Sequence, residues 1–93
     1  MSNRVSAKVS IVNRLGLHAR PAMCFVDAAT PFKSDITVCR AGSNSPVDGK
    51  SIMQMMMLAA TKGTELEIVA EGEDAQAACE ALRKLVQSGF DEE

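Results

Sequence analysis

His18 is the only histidine in the chain, and Arg20 follows it two positions on, within Gly16-Leu17-His18-Ala19-Arg20-Pro21-Ala22. An imidazole serves as nucleophile, base or metal ligand, according to its partners. A general base in a hydrolase would want a nucleophile or a metal beside it, and the sequence offers no recognisable triad or metal cluster. Cys24, Cys39 and Cys79 are scattered, odd in number and form no C-x-x-C pair, so with one histidine they make a poor zinc set. His18 stands where a loop becomes a helix. The first N–H groups of a helix have no intrahelical acceptor, and the macrodipole places partial positive charge there, so such an end attracts anions. A phosphoryl group on His18 would therefore meet free backbone donors. Arg20 adds a permanent planar cation able to fork onto phosphoryl oxygens, and Gly16 lets the loop turn tightly before the histidine. A histidine at a helix start is by type also an ordinary capping or surface residue, so position alone leaves both readings open.

The elements that would position these residues follow from periodicity. Val5, Ala7, Val9 and Ile11 alternate with polar residues as a half-buried strand. After the loop Asn13 to Leu17, Ala22, Phe25, Val26 and Ala29 form one face of a helix from Ala19 to about Thr30. Pro21 falls in its first turn, where a missing N–H costs nothing, and Pro31 ends it. Ile36 and Val38 mark a second strand, and Ala41 to Asn44 a turn. A short third strand spans about Ser45 to Asp48, with Pro46 confining it to an edge. Ser51 to Ala60 reads as a helix with Gly63 as its stop. Leu66, Ile68 and Ala70 mark a fourth strand, and Asp74 is the expected N-cap of a last helix faced by Ala75, Ala78, Cys79, Leu82, Leu85 and Val86. The order βαββαβα predicts one α+β domain over residues 1–93. The tail Asp91-Glu92-Glu93 reads as a frayed acidic end.

Bulk properties narrow the function. The content of 46% hydrophobic and 24% charged residues predicts a folded soluble domain rather than disorder. A net charge of −2 argues against a nucleic-acid binder, which carries a basic surplus. No apolar run approaches the roughly 20 residues of a membrane span. Met1 to Ser10 has no apolar signal core, which predicts no secretory leader. The three thiols then read as reduced, small hydrophobes of a cytoplasmic protein.

Three blocks resemble one family. Asn13-Arg14-Leu15-Gly16-Leu17-His18-Ala19-Arg20-Pro21-Ala22 is similar to the active-site signature of the HPr family, the histidine-containing phosphocarriers of the bacterial phosphoenolpyruvate-dependent phosphotransferase system. Gly49-Lys50-Ser51-Ile52-Met53 is similar to its regulatory-serine signature, and Gly63-Thr64 with Ala70 to Ala75 is similar to its C-terminal third. The resemblance spans about residues 5–90. It implies that His18 is the phosphoryl acceptor, modified at Nδ1, that Arg20 orients and neutralises the phosphoryl group, and that Ser51 is a phosphorylation site for an ATP-dependent HPr kinase. It implies an open-faced β-sandwich, a four-stranded antiparallel sheet covered on one face by three helices. The implied partners are enzyme I, enzyme II components and, for Ser51, HPr kinase/phosphorylase and regulators. The carrier would act as a monomer, without metal or cofactor, as a stoichiometric participant rather than an enzyme. Two features depart from the commonest pattern: the stretch Arg40 to Asp48 is a little longer, and Arg14 adds charge beside the active site.

The segment after Ser51 is apolar all round, with only Gln54 strongly polar, so both its sides call for cover. Met55, Leu58 and Ala59 are expected to pack on the sheet. Ile52, Met53 and Met56 then form a candidate docking patch, suited by methionine's flexibility to several partners; a methionine-rich core helix or a homodimer contact is the alternative. Three functions stay in competition: the phosphocarrier, a regulatory module signalling through the Ser51 helix, and an enzyme using His18 as a base.

Overall fold

The computed structural model describes residues 3–90, and the tail Asp91-Glu92-Glu93 lies outside them. Seven elements follow one another: β1 (Arg4–Ser10), α1 (Ala19–Ala29), β2 (Asp35–Arg40), β3 (Val47–Asp48), α2 (Ile52–Met57), β4 (Glu65–Glu71) and α3 (Ala75–Gln87). The strands form one antiparallel sheet in the order β1-β4-β2-β3. Register follows from the period of two: Val9 and Arg40 flank Leu66, Ala7 and Val38 flank Ile68, and Val5 and Ile36 flank Ala70. Leu66, Ile68, Ala70, Ile36 and Val38 are thereby buried beneath the helices, while Glu65, Glu71 and Asp35 stay in water. The three helices cover one face, the open-faced sandwich that the family resemblance implied and with which the element order agrees.

Helix α1 buries Pro21, Ala22, Phe25, Val26 and Ala29, the face its spacing predicts. Helix α3 buries Ala75, Ala78, Cys79, Leu82 and Val86. It ends in a Schellman motif: the Phe90 N–H donates to the Leu85 carbonyl and the Gly89 N–H to the Val86 carbonyl. This fold back drives Phe90 into the core, where the sequence reading placed nothing. Burial pushes the Cys79 thiol above its ordinary pKa, with Glu80 adding to the effect.

Three expectations need correction. The third strand is two residues long rather than Ser45 to Asp48, since Pro46 has no N–H for the ladder. Helix α2 stops at Met57 instead of Ala60, and Gly63 is no helix stop; it lies in the turn before β4 and its N–H donates to the Ile11 carbonyl at 2.8 Å. Asp74 precedes α3 but makes no side-chain cap. Its carboxylate instead accepts the Lys33 N–H (2.8 Å), the Ser34 N–H (2.9 Å) and the Ser34 hydroxyl (2.5 Å), tying the α1–β2 turn to the start of α3.

These bonds, the Ser34 hydroxyl first and the Lys33 N–H next, hold the Asp74 carboxyl below its ordinary pKa. A carboxylate depressed in the folded state stabilises the fold above its unfolded pKa, and that contribution is lost as pH falls through the folded value. Melting temperature measured against pH should therefore fall on the acid side of the ordinary aspartate range, and the slope should be shallower in Asp74→Asn. Parallel curves for the two proteins would refute a role for this cluster.

Candidate functional site

The loop ahead of α1 is closed on itself. The Asn13 side-chain amide donates to the Gly16 carbonyl at 2.7 Å, and the Gly16 N–H donates back to the Asn13 carbonyl at 3.2 Å. The Leu17 N–H then donates to the Ala60 carbonyl at 2.9 Å, which fastens the loop to the segment after α2. Gly16 has φ +72°, and a Cβ there would stand 2.6 Å from the Ala60 carbonyl oxygen and 2.9 Å from the Thr61 Cα. Both neighbours are backbone and cannot swing away. Gly16→Ala should therefore cost about 1–3 kcal/mol from left-handed strain alone, with the clash added, and displace the residue two positions on. Chemical denaturation together with the phosphorylation rate checks this; wild-type stability would contradict it.

His18 follows as the N-cap residue of α1, with extended backbone (φ −87°, ψ −169°), and its side chain makes no capping bond to the helix. The Ala22 N–H closes the first turn on the His18 carbonyl at 3.0 Å. Ala19 and Arg20 carry the first N–H groups of the helix, which have no acceptor within it, and Pro21 has none to leave open. The His18 ring is half-buried and Arg20 is exposed in the first turn. The arrangement can receive an oxyanion: backbone donors at a helix start and an exposed guanidinium beside a nucleophilic ring.

Ser51 is the N-cap residue of α2, and its hydroxyl accepts the Gln54 N–H at 3.2 Å. The Lys50 ammonium donates to the Phe32 carbonyl at 2.7 Å, beyond the C-terminus of α1. Met55 and Leu58 face the core, but Ala59 is exposed at φ +49°, and Ala60 takes the inner place expected for it. Ile52, Met53 and Met56 are exposed, and so are Met57, Leu15 in the His18 loop and Met23 on α1. The last three were missed. Met23 could have been found from its place off the apolar face of α1. Arg40 was also missed: from β2 its guanidinium donates to the Leu58 carbonyl (3.1 Å) and the Ala59 carbonyl (3.0 Å), holding the end of α2. Among the described residues no group of three or more His, Cys, Asp or Glu side chains gathers to hold a metal, and no helix is long and apolar enough to cross a membrane.

A histidine-first helix beside a serine-capped helix, on this sheet, has relatives. The family model described as "PTS HPr component phosphorylation site" matches residues 5–88. The chain belongs to the HPr family. It is thus a phosphocarrier of the phosphotransferase system, and the family works with components of that system. The chain is 48% identical over 85 residues to the phosphocarrier protein HPr of Pseudomonas aeruginosa, covering 91% of this chain and 93% of that one. It is 40% identical over 86 residues to the phosphocarrier protein NPr of Proteus mirabilis, covering 92% and 94%. Among solved structures, HPr-C-His from Thermoanaerobacter tengcongensis superposes with a TM-score of 0.89 at 42% identity, covering 96% of this chain and 98% of that one.

Proposed function

We propose that this chain relays a phosphoryl group on His18 Nδ1, taking it from the phosphohistidine of enzyme I and passing it to a histidine of an enzyme II component. The observation that carries the reading is His18 itself, held in extended backbone just ahead of the Ala19 and Arg20 N–H groups. In the transfer, the Nδ1 lone pair attacks phosphorus. The new N–P bond forms as the donor's N–P bond breaks, and that electron pair returns to the donor imidazole. The three phosphoryl oxygens then meet the start of α1 and the Arg20 guanidinium. The work is positioning and electrostatics, as in phosphoryl transfer generally. It needs no metal or cofactor held by this chain, and it makes the protein a stoichiometric cytoplasmic carrier rather than an enzyme. Enzyme I and enzyme II components dock on the side chains Ile52, Met53 and Met56, together with Met57, Leu15 and Met23, all of them exposed. Incubation with phosphoenolpyruvate and enzyme I tests the reading: intact mass should show one acid-labile phosphoryl group per chain. No label, or an acid-stable one, would overturn it.

A second reading, regulation through Ser51, is favoured by the position of that hydroxyl, which caps α2 directly beside exposed Ile52 and Met53. A phosphate there lies at a helix N-terminus, so the fold should tolerate it. On the docking side it adds about −1.5 to −2 charges to a surface that must lose water. Ser51→Asp should keep the melting temperature while slowing phosphorylation of His18, more weakly than phosphate itself would. Early melting, or a wild-type transfer rate, would reduce Ser51 to an ordinary cap.

A further inference from the structure

The chain has six methionines, and α2 with α1 holds five of them. Met53 is 78% exposed, Met57 74%, Met23 49% and Met56 44%, whereas Met55 is 0% exposed. Methionine is ordinarily among the most buried residues. Met53, Met56 and Met57 stand at i, i+3 and i+4, so one side of α2 is a row of thioethers in water. Met55, on the same helix, is sealed in the core.

We propose that Met53 and Met57 are a peroxide-sensitive modification site, whose oxidation to sulfoxide uncouples the carrier from its phosphoryl donor. The proposal rests on the docking role given to this patch above. The thioether sulfur attacks one oxygen of a peroxide. The S–O bond forms as the O–O bond breaks, sulfur gives up two electrons, and the other oxygen leaves as water after taking up a proton. A flexible apolar side chain becomes a polar one. Docking on the patch then requires stripping water from a strong hydrogen-bond acceptor with no prepared donor. The fold is spared, because both side chains stand mostly in solvent and the core methionine is out of reach. Methionine sulfoxide reductases, with electrons from a thiol, return the sulfoxide to thioether, so the change is reversible.

The thiols supply a competing target, with Cys24 and Cys39 half-buried; dithiothreitol reverses their disulfides and sulfenic acids but not methionine sulfoxide, and peptide mapping assigns any over-oxidised cysteine directly. The full chain is treated with hydrogen peroxide, then with dithiothreitol, and mapped by peptide mass spectrometry. Melting temperature and the rate of phosphorylation by enzyme I and phosphoenolpyruvate are measured in parallel. Added oxygen should accumulate at Met53 and Met57 well before Met55, with the melting temperature held. The phosphorylation rate should fall about tenfold or more, as expected for burying one unpaired polar group on docking, and both methionine sulfoxide reductases together should restore it. Oxidation of Met55 as fast as Met53 would overturn the proposal. A double variant, Met53→Asp with Met57→Asp, separates the two levels. If the variant is slow but the sulfoxide form is fully active, the switch falls and the docking reading stands; a wild-type rate in the variant removes the docking reading itself.

Discussion

His18→Ala should abolish phosphoryl acceptance from enzyme I while leaving the melting temperature nearly unchanged. No second histidine can take over the nitrogen chemistry. The helix it caps does not depend on its ring: the His18 side chain makes no capping bond to α1, and the first turn closes on its backbone carbonyl, which alanine retains. The neighbours that fix the loop, Leu17, Pro21 and Ala22, are themselves buried. A half-buried substitution of this kind shifts stability by about 1 kcal/mol or less. Loss of labelling with the fold intact separates chemistry from folding. Retained acid-labile labelling of the variant would show that the acceptor lies elsewhere.

Arg20→Ala is expected to have the next largest effect. The side chain is exposed and makes no contact that α1 needs, since its place in the first turn is secured by its backbone. Stability should stay within about 0.5 kcal/mol of wild type. Transfer should suffer far more, because a charge-assisted bond to a phosphoryl oxygen contributes about 1.5–3 kcal/mol, or about ten- to a hundredfold in rate. Arg20→Lys should fall between, keeping the charge but losing the planar fork. Rapid-quench measurement of the transfer step beside a denaturation curve checks both halves. Equal transfer in all three proteins would remove Arg20 from the site.

Periodicity made the sheet and two of the helices legible, because they report burial that the chain encodes locally. Ala22, Phe25, Val26 and Ala29 on α1, and Leu66, Ile68 and Ala70 on β4, are the plainest cases. Around His18 the turn at Gly16 and the helix start at Ala19 were legible locally, whereas the roles given to His18 and Arg20 came from the resemblance of Asn13 to Ala22 to the HPr signature, since position alone left them open. What escaped depends on partners distant in sequence. Met55 to Ala60 contains no helix breaker, so nothing local announces the stop at Met57. The stop comes with acceptor sites taken from outside, Arg40 on the Leu58 and Ala59 carbonyls and the Leu17 N–H on the Ala60 carbonyl. Asp74 reads as a cap by position, yet its carboxylate is engaged some forty residues away at Lys33 and Ser34. The tight approach of Gly16 to Ala60 has the same character: glycine suggests a turn, but only the fold shows what backbone it passes.

The central claim, that the phosphoryl group sits on His18 Nδ1 at the start of α1, is tested most directly by nuclear magnetic resonance of the ¹⁵N-labelled chain during turnover with enzyme I and phosphoenolpyruvate. The His18 ring spectrum should change at Nδ1. The backbone amides of Ala19 and Arg20 should shift with it, while amides across the sheet, such as those of Glu67 and Val69, hold still. Signals should revert when the phosphoenolpyruvate is exhausted and the acid-labile bond hydrolyses. A His18 ring that stays unchanged while Ser51 or another residue takes up the label would contradict it.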